Sequence, residues 1–216
     1  MSASSSKGVK VCMNTVAADG TLTATTITAA KPAALTGTGY TVQPGDMIHI
    51  DKTGNAKLDG KWWIVDVGAT ATNIPLVGSD NTGGTTTVSP AAVIKTRTGV
   101  GSMVCLCLSN FAIQRDAPGT ISVATFCDPG ASLPVPTTQA GTVTIGGYVD
   151  ISADDFKAIV AAEEDAKSRT FRVTLPGNGY IVFEGVVSGF TYDIPLDGAL
   201  GWSATITLTA TPRHLF

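Results

Sequence analysis

Catalysis and metal binding need side chains that converge, and the histidines, cysteines and clustered carboxylates are the residue types able to do so. The chain of 216 residues holds two histidines and four cysteines. His49 sits in DMIHIDK, between Asp46 and Asp51, and His214 lies in the tail beside Leu215 and Phe216. A Ser-His-Asp or Cys-His set would need a nucleophile held on a sharp strand-to-helix turn, and no such elbow motif is present. His49 is therefore read as a solvent-facing strand histidine. Cys105 and Cys107 alternate in VCLCL, which puts both on one strand face. Zinc would call for Cys-x-x-Cys spacing or nearby histidines. Together with Cys12 and Cys127, they are read as free, packed thiols.

Two acidic segments complete the candidates. Glu163, Glu164 and Asp165 are adjacent on a predicted helix, where neighbouring carboxylates diverge and cannot flank one glycosidic bond. GSDNTGG (Gly78 to Gly84) has calcium-loop composition without the regular spacing or the closing glutamate, so it is read as a turn. No glycine-rich phosphate cradle occurs. The chain is thus not read as an enzyme, and no metal or cofactor is expected.

Composition points toward assembly. Charged residues make up 14% of the chain, against roughly 25% in ordinary soluble domains. A surface so poor in charge is either buried against other copies or coated with Thr, Ser, Gly and Asn, and the sequence suggests both. The net charge of -3 offers no basic footprint for nucleic acid. The opening MSASSSKG lacks an apolar segment behind it, and the longest apolar run, Met103 to Leu108, is too short to span a bilayer. The expectation is a protein kept off membranes and held in a cytoplasm until it assembles.

Strand signals dominate the elements. WSATITLT (Trp202 to Thr209) places Trp202, Ala204, Ile206 and Leu208 on one face and hydroxyl residues on the other. Thr170 to Leu175 and Tyr180 to Val187 flank Pro176-Gly177-Asn178-Gly179, a hairpin signal. Thr142 to Ile151 forms another strand, with Val143, Ile145, Val149 and Ile151 on its inner face. One helix follows, started by Ser152 and Asp155 as a capping box, with Phe156, Ile159 and Val160 as its apolar stripe. From residue 14 to residue 100 the texture changes to short strands (Met47 to Ile50, Lys61 to Val67, Ile74 to Val77, Thr85 to Ile94) between Gly-containing turns. This reads as a small all-β module with its own core around Trp62 and Trp63, one of which alternation places inside.

In their order, these elements resemble the major tail tube proteins of long-tailed phages with non-contractile tails (the lambda-like siphophage family). The resemblance covers residues 102 to 212. It runs from the strand Ser102 to Leu108 through the ribbon NFAIQRDAPGTISVATF, the loop CDPGASLPVPTTQAG, the strand TVTIGGYVD and the helix. It continues through FRVTLPGNGYIVFEGVVSGF to the closing strand, and Lys7 to Met13 resembles the family's first strand. Residues 25 to 84 (PAALT, PGDMIHI, LDGK, IPLVGSD) resemble a small β-barrel repeated in phage tail proteins.

The resemblance implies a mainly β fold: a tail-tube β-sandwich or barrel with one flanking helix (residues 1–13 and 101–216). The inserted β module (14–100) would sit on the outer surface. It implies homohexameric rings stacked into a tube in the virion tail, assembled in the host cytoplasm. The tape measure, tail terminator and tail tip proteins would be partners, and DNA would pass through the lumen without specific binding. The loop Cys127 to Gly141, with Asp128, Pro129, Leu133, Pro134 and Pro136, takes the place of the family's inter-ring stacking loop. The tail Pro212 to Phe216 is expected to be unordered in an isolated subunit, with Leu215 and Phe216 docking on a neighbour. Thr142, Thr144 and Glu184 are lumen candidates; alternatively Glu184 pairs with Arg172 across the hairpin. Two rival readings are a receptor- or carbohydrate-binding β-sandwich, which needs an exposed aromatic platform, and the inner tube protein of a contractile machine.

Overall fold

A computed structural model describes residues 8–15, 20–97, 103–114, 119–125, 128–135, 141–177 and 179–216. Strand β1 (Lys10–Asn14) comes first, followed by seven short strands. These are β2 (Gly20–Leu22), β3 (Ala24–Ile27), β4 (Ala34–Gly37), β5 (Met47–Asp51), β6 (Lys61–Ile64), β7 (Asn73–Pro75) and β8 (Val93–Arg97). Next are β9 (Met103–Leu106), β10 (Leu108–Gln114), β11 (Gly119–Thr125), β12 (Asp128–Val135) and β13 (Thr142–Tyr148). Helix α1 (Asp154–Glu164) precedes β14 (Arg169–Leu175), β15 (Gly179–Asp193), β16 (Gly201–Leu208) and β17 (Arg213–Leu215). The fold is mainly β with a single helix among the described residues, the class the periodicity predicts.

The chain forms two compact units, whose boundaries differ from the expected ones. The first comprises residues 1–106, 169–183 and 213–216; the second comprises 107–168 and 184–212.

In the first unit the short strands form two small sheets, in the orders β2-β8-β5-β6 and β3-β4-β7. Asp59-Gly60 turns the chain between β5 and β6, with Gly60 at φ 70°. The Asp59 carboxylate accepts the N–H groups of Thr53 and Gly54, each at 3.0 Å. The expected strand over Thr85 to Ile94 is shorter and later, since only residues from Val93 onward join the ladder. Both Trp62 (9% exposed) and Trp63 (2%) are buried, which corrects the expectation that alternation leaves one outside. Trp63 enters the core, and its Nε1–H donates to the Leu58 carbonyl at 3.2 Å. On the opposite face the His49 ring lies 5.1 Å from that of Trp62, so His49 packs half-buried rather than facing solvent.

This module does not close on a core of its own. The apolar cluster built by Leu35, Ile48, Ile50, Trp63 and Leu76 also contains Val182 and Leu215, with Met103 and Tyr180 packed against it. The rest of the unit is a sheet segment ordered β9-β1-β14-β15, with β17 also pairing β15. β1 is buried on both faces from Val11 to Asn14, and Phe171 stacks on Phe183 at 5.0 Å. Cys12 and Cys105 stand opposite each other on β1 and β9 and form a disulfide. That corrects the free-thiol reading of these two. Cys107 is a free thiol but exposed rather than packed, and Cys127 lies outside the described residues.

The Gly78–Gly84 segment is a turn that seals the module's interior. Asn81 is fully buried. Its Oδ1 accepts from Asn55 Nδ2 at 2.7 Å, and its Nδ2 donates to the carbonyls of Thr28 and Thr85 at 3.0 and 3.1 Å. Removing one member of such a network strands the others away from water. Asn81→Ala is accordingly expected to lower stability by about 1–3 kcal/mol, measured as a shift of the urea midpoint at unchanged m-value. A midpoint equal to wild type would show the network to be idle.

In the second unit the strand order is β10-β13-β16-β15. Trp202, Ala204, Ile206 and Leu208 are buried, and the alternating Ser203, Thr205 and Thr207 face outward, the pattern predicted from WSATITLT. α1 covers the inner face with Phe156, Ile159 and Ala162. Phe156 lies 6.3 Å from both Phe190 and Trp202, which stack on each other at 5.5 Å. A bulge between Val187 and Gly189 changes which residues of β15 point inward. Gly147 is required here, because a Cβ would lie 2.8 Å from the Cys107 carbonyl oxygen.

Two local expectations are corrected. The helix cap is Ala153, with no side-chain capping bond; the Ser152 hydroxyl is instead donated to Asp150 at 2.6 Å. Asp155 accepts the Cys107 N–H at 2.8 Å. β13 ends at Tyr148, and Ile151 is exposed rather than inside.

Candidate assembly surfaces

β10 and β13 are direct antiparallel neighbours, with Gln114 opposite Thr142. Between them the chain makes the β11–β12 hairpin, a two-stranded sheet in which Gly119 pairs with Val135 and Thr125 with Asp128. The expected stacking loop is therefore a paired strand from Asp128 to Val135. Asp128, Pro129, Leu133 and Pro134 lie within β12, whereas Cys127 and Pro136 lie outside the described residues. Prolines fit a two-stranded ribbon because each strand keeps one open edge, where the missing N–H costs no ladder bond. At the other side of this unit's sheet segment, β10 is an edge strand. An open edge is a template for another chain.

The tail is placed differently from expectation. Arg213–Leu215 pairs with Tyr180, Ile181 and Val182 of β15, and Leu215 is 2% exposed within the core. The tail is thus ordered by its own chain, and Leu215 is unavailable to a neighbour. Phe216 remains 82% exposed. The Arg213 guanidinium carbon lies 3.4 Å from the Trp63 ring centroid, and burial lowers the Arg213 pKa to about 10.

The three lumen candidates fall on one face of the second unit. Thr142 and Thr144 stand opposite Thr207 and Thr205 of β16, and Thr207 stands opposite Val186 of β15, two residues from Glu184. Thr144 is exposed, whereas Thr142 and Glu184 are half-buried. The face is coated with hydroxyls; Ser188 lies 2.8 Å from the Thr207 hydroxyl. Glu184 Oε1 accepts from the Ser168 hydroxyl at 2.7 Å. Arg172, the alternative partner expected for Glu184, donates from Nη1 to the Gly45 carbonyl.

Two features escaped the sequence reading. The second unit exposes Tyr148, Ile151, Tyr192, Ile194, Leu196 and Leu200 near one end of its sheet, where Tyr148 and Asp193 both pair with Gly201. The only advance signal was the density of apolar residues in the turn-like segment IPLDGALG. The first unit holds an open cavity of about 390 Å³, lined by Pro44, Val65, Val67, Val77, Met103 and Arg172 among others. Burial lowers the Arg172 pKa.

Among the described residues no group of three or more His, Cys, Asp or Glu could hold a metal ion. No helix there is long and apolar enough to cross a membrane. The geometry among the described residues is that of surfaces able to meet protein: an edge strand, a two-stranded ribbon, an apolar loop and a largely apolar cavity. Compared with models of protein families and with characterised proteins, the sequence matches none.

Proposed function

We propose that the chain is a structural subunit that assembles with copies of itself into stacked rings, forming a tube of the long-tailed phage type. The reading rests on the β11–β12 ribbon. A two-stranded hairpin is marginal in water without a third strand or a packing partner, and this one pairs with no other described strand. A neighbouring subunit can supply a third strand. The low charge and the β10 edge support the same reading. Trp62 and Trp63, the pair that the adhesin reading would use as its aromatic platform, are both buried.

Negative-stain electron microscopy of the concentrated protein is the test, with rings or tubes as the expected image. Dispersed monomers at every concentration and salt would sink the reading. Within it, the hydroxyl face of the second unit lines the lumen, and partners are further copies and the proteins at either end of the tube. Thr144→Lys then places one added positive charge per subunit on the wall. Tubes should form normally, and DNA release from particles carrying the variant should slow at low salt and recover as salt rises. Release unchanged at low salt would remove Thr144 from the wall.

A further inference from the structure

The exposed loop of the second unit is apolar, and so is much of the lining of the first unit's cavity. The loop follows β15 as IPLDGALG, turned by Gly198 at φ 136°. Leu196 at its tip is 104% exposed, as open as in an extended peptide, and Ile194 and Leu200 are exposed beside it. Turn chemistry asks for small or polar residues at such a place. Contiguous exposed apolar side chains mark a surface that meets another molecule. The cavity offers the converse, a concave site of about 390 Å³ with valine, methionine and proline in its walls. Val67 lines it and is itself 79% exposed.

We propose that the Ile194–Leu200 loop of one copy inserts Leu196 into this cavity on a second copy of the same chain. The inference rests on the self-assembly reading and adds which surfaces meet. Charge agrees with it. Asp197 follows Leu196 directly, and Arg172 lines the cavity. Asp46 lies in the same wall, accepts the Gln43 N–H at 2.8 Å and attracts Arg172, but burial outweighs that attraction; Asp66 accepts the Val67 N–H at 2.7 Å. Arg172 is partly desolvated, and its buried Nε has no hydrogen-bond partner, so an arriving carboxylate improves its surroundings. Loop and cavity are different patches and every copy carries one of each, so a contact made in one direction is passed on from copy to copy and generates a ring or a filament.

The test uses two variants of the full chain, Leu196→Asp and Val67→Asp, in sedimentation velocity beside wild type. Both side chains are exposed, so circular dichroism and thermal midpoints should match wild type. Each variant alone should associate about 30-fold or more weakly, as for loss of a central interface anchor. Mixed one to one, they should form a dimer and stop there. The Val67→Asp copy keeps its loop, the Leu196→Asp copy keeps its cavity, and only that single junction is intact. Assembly by Leu196→Asp alone at wild-type concentrations would overturn the proposal while leaving self-assembly standing. A mixture that remains monomeric would overturn it too. A wild-type chain that never associates would overturn both.

Discussion

Leu215→Ala is expected to lower the stability of the folded chain by about 2–5 kcal/mol, the range for truncating a fully buried leucine in a core that cannot collapse around the gap. Leu215 belongs to the same apolar cluster as Trp63 and Val182. Its strand is held on β15 by pairing with Tyr180. Removing Arg213–Phe216 altogether should cost more, because it also uncovers Trp63, over which Arg213 lies, and frees the edge of β15. The measurement is chemical denaturation of the purified chain, followed by tryptophan fluorescence. A deletion variant that unfolds at the wild-type midpoint but no longer associates would return the tail to a purely intermolecular role. By contrast Phe216→Ala, at an exposed position, should leave the midpoint within about 0.5 kcal/mol of wild type.

Excision of residues 20–97 with a short Gly-Ser joint should destroy the first unit rather than trim it. An inserted module with its own core on the outer surface, as residues 14–100 read from sequence, would be removable without harm. The shared core reverses that expectation. Without the module, Val182 and Leu215 lose the cluster that buries them, and Met103 and Tyr180 lose their packing surface. Each fully buried aliphatic side chain contributes about 1.5–3 kcal/mol relative to exposure, and domains are only about 5–15 kcal/mol stable in total. The excised chain should be aggregated or bind a hydrophobic dye without a cooperative transition. A soluble product with a sharp unfolding transition would show that the β1, β9, β14, β15 and β17 segment folds alone.

Local chemistry made much of the fold legible. The alternation of WSATITLT specifies which face of β16 is buried, because a strand's side chains alternate whatever it pairs with. Pro-Gly-Asn-Gly marks the turn between β14 and β15, and Phe156 with Ile159 marks the buried side of α1. These signals are complete within a single element. The candidate site was less legible, since it depends on which surfaces remain uncovered. Thr144 could be placed on an outer face from its own strand, but the exposure of Leu196 and the cavity around Arg172 follow from everything that does or does not pack nearby.

The remaining decisions belong to tertiary structure. Adjacent Trp62 and Trp63 should lie on opposite faces, and they do; only the covering of both faces, one by His49, buries them together. Cys12 and Cys105 are 93 residues apart, and their pairing requires β1 and β9 to be neighbours in one particular register. Pro129 and Pro134 suggested a loop, yet they sit in β12, where a two-stranded ribbon leaves an edge for a residue without an N–H. The tail carried only one buried leucine's worth of pattern, and its place in the core was decided by its pairing with β15 beside the module's apolar cluster. Periodicity and turn chemistry are written in neighbouring residues, whereas burial is a property of the partner surface, which the chain supplies from far along its length.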